Sequence, residues 1–268
     1  MTTLAFAGRN RRELLRDPLT LAFGLGFPLV LLFLLSAIQR NVPVPLFAVE
    51  RLAPGVAAFG LTFISLFSAM LIAKDRSQSF MLRLCASPMR PHSFLLGYLL
   101  PLIPMAAAQI AVCYLAAATL GFRLNANALV SLLTLLPAAV LYIAIGLLCG
   151  TLLTDKQVGG VCGAVLTNVC AWLSGVWFDL SLLGKDFAAF AEWLPFAGSV
   201  TAARAAAAGD YAAVARPLLI VCAYAAVLLI IAVACFHKKL KSGRLYSLDS
   251  GRAPCYNFPN DSEGRFPS

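Results

Sequence analysis

Uncharged apolar stretches alternate with short polar intervals along almost the whole chain. Leu19 to Ile38 carries no charge, and neither does Leu52 to Ala73. Ser93 to Phe122 and Leu124 to Thr154 are longer, and Gln157 to Phe178 and Pro217 to Phe236 complete the set. Trimmed to the roughly 20 apolar residues that cross a hydrocarbon core, they predict spans at 19–38, 53–73, 94–120, 127–153, 158–178 and 217–236. Backbone polar groups in lipid must be paired internally, which calls for helices. The alternating pattern of a membrane barrel is absent. The expected fold class is therefore an all-α membrane protein with a six-helix transmembrane domain over 19–236.

Composition agrees. Of the 268 residues, 60% are hydrophobic and 12% charged, against roughly 25% charged in a soluble domain. The formal charge of +9 would suggest nucleic acid in a soluble protein. Here the basic residues read as topology signals, and no nucleic-acid partner is expected. The first span is too long for the roughly 7–15-residue core of a signal peptide, and no A-x-A site follows it, so it is expected to be retained.

The basic residues also orient the chain. Arg9, Arg11, Arg12 and Arg16 precede the first span, and Lys74, Arg76, Arg83 and Arg90 follow the second. Lys156 follows the fourth, and Lys238, Lys239, Lys241 and Arg244 follow the last. The opposite loops hold fewer cations and contain Glu50, Asp179, Asp186, Glu192 and Asp210. Both termini are expected in the cytoplasm. The tail, 237–268, is rich in Ser, Gly, Pro, Asn and Asp beyond Leu240 and is expected to be disordered.

Catalytic and metal chemistry find no support. No C-x-x-C pair occurs, and His92 and His237 are the two histidines. The cysteines read as small apolar packing residues. Gly184-Lys185-Asp186 is a chance G-K, not a phosphate loop, which needs G-x-x-x-x-G-K-[ST]. No G-x-S-x-G or H-E-x-x-H is present. No carboxylate cluster lies inside a span, as an ion-coupled pump would usually need. The chain is expected to be neither an enzyme nor a cofactor carrier, so energy, if it is needed, must come from a partner.

One polar interval stands out. Between the second and third spans, Lys74 to Ser87 is compatible with a short helix. Phe80, Met81, Leu84 and Cys85 fall on one face, and Arg76 and Arg83 on another. Pro88 disfavours helix at Ser87 and ends the segment. Two readings fit: an amphipathic helix resting on anionic headgroups, or a rigid knob that docks into another protein.

In this interval the chain resembles the permeases of the type-2 ABC transporter family, bacterial exporters of drugs, lipid-linked glycans and similar amphiphiles. That family has an acidic residue, then roughly "L-x-x-L-x-x-S-P", a basic residue and "L-G-K". Here Asp75, Met81, Leu84, Ser87, Pro88, Arg90, Leu96, Gly97 and Tyr98 follow that order. Gln78-Ser79-Phe80-Met81 replaces the usual G-T-L-E, and Tyr98 replaces the lysine. Leu173 to Asp210 resembles the family's fifth-span exit through Ser174, Gly175, Phe178, Leu194, Pro195, Arg204 and Gly209. The distance from Asp179 to Arg216 is too short for two more spans, and a pair of short helices dipping into the outer leaflet fits. The resemblance implies the same re-entrant hairpin. Arg9 to Phe23 resembles the family's interfacial helix and first span, giving an amphipathic segment over 1–18. The likeness covers about residues 9 to 240.

Within the spans, Gly146 and Gly150, and Gly159 and Gly163, form two G-x-x-x-G pairs, which predicts a close crossing of the fourth and fifth helices. Thr62, Ser65 and Ser68 make a polar stripe in the second span, and Thr167, Asn168 and Ser174 lie in the fifth. Such groups face protein or a cavity in lipid. Interhelical hydrogen bonding explains them. The alternative, implied by the resemblance, is a substrate path at a dimer interface, with Thr62, Ser65, Ser68, Asn168 and Ser174 as its lining. Pro28, Pro101, Pro104 and Pro137 read as kinks.

The expected function is the permease subunit of an ATP-driven exporter in the bacterial cytoplasmic membrane. It would pair with a second permease and bind two copies of a separate ATPase, which holds the ATP and Mg. Asp75, Arg76, Phe80, Met81, Arg83, Leu84, Ser87 and Pro88 would carry the coupling. The alternative is a stand-alone membrane facilitator or membrane assembly factor.

Overall fold

In the computed structural model, residues 3–42, 47–77 and 91–241 are described. Helix α1 (Thr3–Arg16) leads through a short turn into α2 (Ala22–Gln39). Then come α3 (Val49–Ser77), α4 (Pro91–Thr119) and α5 (Ala126–Leu152). The next helical run, α6, joins Asp155–Val158, a π-helical Gly159–Leu166 and Thr167–Leu173. Two short helices, α7 (Lys185–Glu192) and α8 (Pro195–Ala208), precede the long α9 (Tyr211–Lys241). No strand occurs among the described residues.

Among the described residues, five helices are long and apolar enough to cross a membrane: Ala22–Gln39, Val49–Arg76, Ser93–Thr119, Ala126–Leu152 and Tyr211–Lys239. The expected fifth span, 158–178, is not one of them. Asp155, Lys156 and Gln157 occupy the first turn of α6, and the helix stops at Leu173. Its apolar part therefore falls short of the roughly 20 residues that span a bilayer. It stops where Gly175 takes φ +67, a conformation that glycine adopts without Cβ strain. At the other end of the chain α9 continues through Lys241, so His237 to Lys241 are helix and not tail. Residues 242–268 lie outside the described set.

Helix α3 is the axis of the bundle. Its span window is 89% buried, against 17% for those of α2 and α9. It packs on α5, α4, α8, α2 and α6. The seam with α5 depends on small residues. A Cβ on Gly146 would run into the Ser65 carbonyl oxygen, and one on Gly150 would sit 2.5 Å from that of Ala69. The two backbones meet because neither glycine has a side chain to hold them apart. This corrects the expected crossing: Gly146 and Gly150 serve α3, not the fifth helix. Gly159 faces open space, and a Cβ on Gly163 would meet only the Leu66 side chain, at 3.5 Å.

Polar groups stitch the apolar bundle. Ser131 of α5 donates to the Ala203 carbonyl of α8 at 2.5 Å, leaving Tyr114 of α4 to donate to Ser131 Oγ at 2.5 Å. Asn125 caps α5 by accepting from the Ala128 N–H at 2.9 Å, one of the donors a helix start leaves unpaired. The π turn Ala22–Gly26 immediately precedes Phe27 and Pro28. Proline lacks an N–H and crowds the carbonyl four residues back, so a widened turn there accommodates it.

Candidate functional site

Both flanks of the 78–90 segment are described, although the segment itself is not. Its entry is the last turn of α3. Asp75 there has no exposed surface, and a carboxylate in that position needs partners. Arg9 of α1 supplies two, donating from Nη1 to Oδ2 at 2.8 Å and from Nη2 to Oδ1 at 2.7 Å. Tyr98 of α4 supplies a third, its hydroxyl donating to Oδ2 at 2.9 Å. A planar guanidinium matches a carboxylate in two parallel bonds, the strongest form of the pair. One carboxylate thus joins α1, the α3 side and the α4 side of the segment.

Packing reinforces that junction. Phe6 of α1 stands edge-on to Tyr98, with ring centroids 5.0 Å apart, and to Phe94 at 6.2 Å. Gly97 makes room for Phe6, whose ring any side chain there would strike. Asn10 donates to the Gly97 carbonyl at 3.0 Å. Phe6, Asn10 and Leu14 recur on the buried face of α1, as a helix presenting one stripe requires. Glu13 holds Arg9 and Lys74 at 3.0 Å each. Burial works against the Arg9 charge, but the Asp75 hydrogen bonds and the Asp75 and Glu13 charges prevail and raise its pKa.

Next to Asp75, Arg76 turns the other way. Its Nη1 donates to the carbonyls of Gly150 at 2.5 Å and Thr151 at 2.8 Å. Lys239 of α9 donates to Thr151 and Leu152 at 3.1 and 3.3 Å. Two cations thereby cap the last turn of α5, where carbonyls have no helical partner and the helix dipole is negative. The sequence-expected coupling residues divide here. Asp75 and Arg76 are both buried in the bundle end, and Phe80, Met81, Arg83, Leu84, Ser87 and Pro88 lie outside the described residues.

A second polar junction closes the opposite end of the bundle. Arg204 of α8 donates from Nε to the Arg51 carbonyl at 3.0 Å, from Nη1 to Gly175 at 2.9 Å and from Nη2 to Val176 at 3.1 Å. One guanidinium ties the start of α3, the exit of α6 and the α7–α8 pair. Leu194 is the residue before α8, and Pro195 opens it, at a first position where a missing N–H costs nothing. Asp179 accepts from the Ser181 N–H at 3.1 Å and from its hydroxyl at 2.9 Å. Those bonds hold its carboxyl below the usual carboxylate range.

The polar stripe does not gather in one place. Thr62, Ser65 and Ser68 are buried in α3. Thr62 bonds back to the Phe59 carbonyl at 2.8 Å, and Ser68 donates to Ile143 of α5 at 3.1 Å. Asn168 lies on the exposed side of α6 and bonds to Ala164 at 2.9 Å. The Ser65 and Ser174 hydroxyls are buried with no hydrogen-bond partner among the described residues.

Arg9, Asn10, Glu13, Tyr98 and Lys239 belong to this site although their residue types single none of them out. Arg9 and Lys239 read as orientation charges, and Tyr98 as a departure from a motif. The usable signal is Asp75 itself: an acid at the end of an apolar span demands a nearby cation.

Long apolar helices bundled around α3, with cations capping one end, define a multi-pass helical membrane protein. The chain belongs to the ABC-2 type transporter family, whose family model matches residues 2–207. The match covers α1 to α8, including the Asp75 junction and Arg204, and identifies the chain as a permease-type membrane domain. A search of curated proteins finds no match.

Proposed function

We propose that the chain is the permease of an ATP-driven exporter that moves an amphiphilic substrate, a drug, lipid or lipid-linked glycan, out of the cytoplasm or inner leaflet. The observation that carries this reading is the Arg9–Asp75–Tyr98 junction. One buried carboxylate ties α1, α3 and α4 together on both sides of the 78–90 segment, so the three helices move as a unit. That is what a lever between an ATPase and a transmembrane bundle requires.

In this reading the coupling helix expected at 74–87 starts from the last turn of α3, and Phe80, Met81, Arg83, Leu84, Ser87 and Pro88 contact the ATPase. The α1 end faces the cytoplasm, as its cations Arg11, Arg12, Lys74, Arg76, Lys156 and Lys239 favour. Both termini are then cytoplasmic, in a bacterial inner membrane. Helix α6 is the fifth of six spans, completed by the 174–178 turn, and α7 and α8 form the re-entrant outer hairpin. Two permeases and two ATPase subunits make the transporter, with ATP and Mg on the ATPase. The substrate route runs beside α3 and α6, where Asn168 faces outward and Ser65 and Ser174 keep unpartnered hydroxyls.

The test is recovery of a Walker-type ATPase with the purified chain in mild detergent. Phe80→Asp protein, matched for membrane level, should lose the ATPase and transport while still inserting. Undiminished ATPase recovery with wild-type export would reduce the interval to a lipid-facing connector. Failure of the wild-type chain to bring down any ATPase would favour a stand-alone facilitator or assembly factor.

A further inference from the structure

A groove of about 330 Å³ runs between the α7–α8 pair and the start of α9. Glu192, Gly198, Thr201, Ala213, Arg216 and Ile220 line it. Gly198 lets α8 lie close against α9, since a Cβ there would sit 3.3 Å from the Pro217 carbonyl oxygen. Glu192 and Arg216 bring opposite charges to the groove, yet neither forms an ion pair among the described residues. Both are exposed. The groove therefore offers one anionic and one cationic group to whatever enters it.

Two further observations define the occupant. Trp193 and Tyr211, 65% and 51% exposed, flank the groove in sequence. Exposed Trp and Tyr at the end of a spanning helix mark the headgroup level of a bilayer. On α9 the lining positions Ala213, Arg216 and Ile220 continue at helical spacing through Tyr224, Val227 and Ile231. Those three are large and 40–54% exposed, so the charged groove opens onto an apolar track down the helix.

We infer that this groove binds a zwitterionic phospholipid of the phosphatidylethanolamine type. Arg216 takes the phosphate, Glu192 takes the ammonium, and an acyl chain follows the Tyr224–Val227–Ile231 face. A headgroup with both charges satisfies both side chains. A phosphatidylglycerol headgroup carries the same phosphate but no ammonium, so Glu192 would face that phosphate with no cation between them, which disfavours it. The inference rests on the groove and α9 alone and does not depend on an ATPase partner.

Native mass spectrometry of the purified full chain tests it, with phosphatidylethanolamine and phosphatidylglycerol of identical acyl chains supplied together. The wild-type chain should retain phosphatidylethanolamine with about a fivefold preference, the scale of one interfacial ion pair. Glu192→Gln should abolish the preference, and Arg216→Gln should reduce retention of both lipids. Thr201→Trp, which fills the groove without touching its charges, should expel the lipid even if a charge variant fails to fold. Equal retention of the two lipids by wild type would overturn the inference. So would an unchanged preference in folded Glu192→Gln protein or unchanged retention in folded Thr201→Trp protein.

Discussion

Tyr98 donates its hydroxyl hydrogen to Asp75 across the two ends of the 78–90 segment, at 2.9 Å. The bond closes a loop in the chain with one buried hydrogen bond, and Arg9 supplies the charge that makes the carboxylate tolerable there. The three groups do different work and should separate on mutation. Tyr98→Phe removes one bond to a charged group, a loss of about 1.5–3 kcal/mol. Arg9→Gln strands a buried carboxylate and should cost more, about 3–5 kcal/mol. Arg9→Leu with Asp75→Leu together should recover much of that loss, because no charge is then left unpaired. Thermal unfolding of the wild type, Arg9→Leu, Asp75→Leu and the double variant measures the cycle. A double variant as unstable as the sum of its singles would mean the pair is not a unit.

The α3–α5 seam makes a second prediction. A Cβ at Gly146 or Gly150 meets α3 backbone, which cannot rotate away. Gly150→Ala should destabilise by about 1–3 kcal/mol, the usual range for overpacking. Gly159→Ala meets nothing within 4 Å and should be neutral. Unfolding midpoints of the two variants decide it. Equal effects at Gly150 and Gly159 would remove the seam as an explanation.

Asp179 gives a pH dependence with a definite sign. Its carboxyl lies below the usual carboxylate range, first because it accepts from the Ser181 N–H and second from the Ser181 hydroxyl. A depressed folded pKa contributes stability above the unfolded pKa, and that contribution disappears as pH falls through the folded value. Amide exchange at Ser181 and Leu182 should therefore show lost protection on acidification, beyond the chemical trend. Asp179→Asn should flatten the response. The group is 57% exposed, so the effect should stay local to the 179–184 turn.

The sequence and the structure agree where periodicity and burial coincide. Uncharged length alone located the five apolar helices, because lipid leaves the backbone no alternative. Helix α6 escapes that rule, since Asp155, Lys156 and Gln157 consume its first turn and Gly175 ends it early. The glycine pairs show a different limit. Spacing reveals that Gly146 and Gly150 share a face, but not which helix fills it. Charge is harder still. Arg9 and Arg11 look alike in a basic stretch, yet Arg9 lies against Asp75 while Arg11 is exposed. Only the rotation of α1, fixed by Phe6 and Asn10 against Gly97, separates them.

Arg204 should not be replaceable by lysine. Its three nitrogens reach three carbonyls, on Arg51, Gly175 and Val176. A single ammonium cannot span that set, whatever its charge. Arg204→Lys should thus resemble Arg204→Gln, with faster amide exchange across 174–184 and little change near Asp75. Retention of wild-type protection in the lysine variant would show that charge, not geometry, holds this end.

Arg76 and Lys239 converge on one acceptor, the Thr151 carbonyl, at 2.8 and 3.1 Å. Their two positive charges repel, so removing either relieves the other. A single variant should therefore cost less than its lost hydrogen bonds suggest. Arg76→Met leaves Lys239 on Thr151 and Leu152, and Lys239→Met leaves Arg76 on Gly150 and Thr151. The double variant strips the cations from the last turn of α5 and exposes its dipole without a counter-charge. It should exceed the sum of the singles by about 0.5–3 kcal/mol, the range for residues sharing one network. Because α3 and α9 both hold α5 through this cap, the double variant should also loosen Asp75's end of α3. Faster amide exchange at Lys74 to Ser77 would report that. Strict additivity, with exchange at 74–77 unchanged, would mean that the two cations cap α5 independently and transmit nothing to the junction.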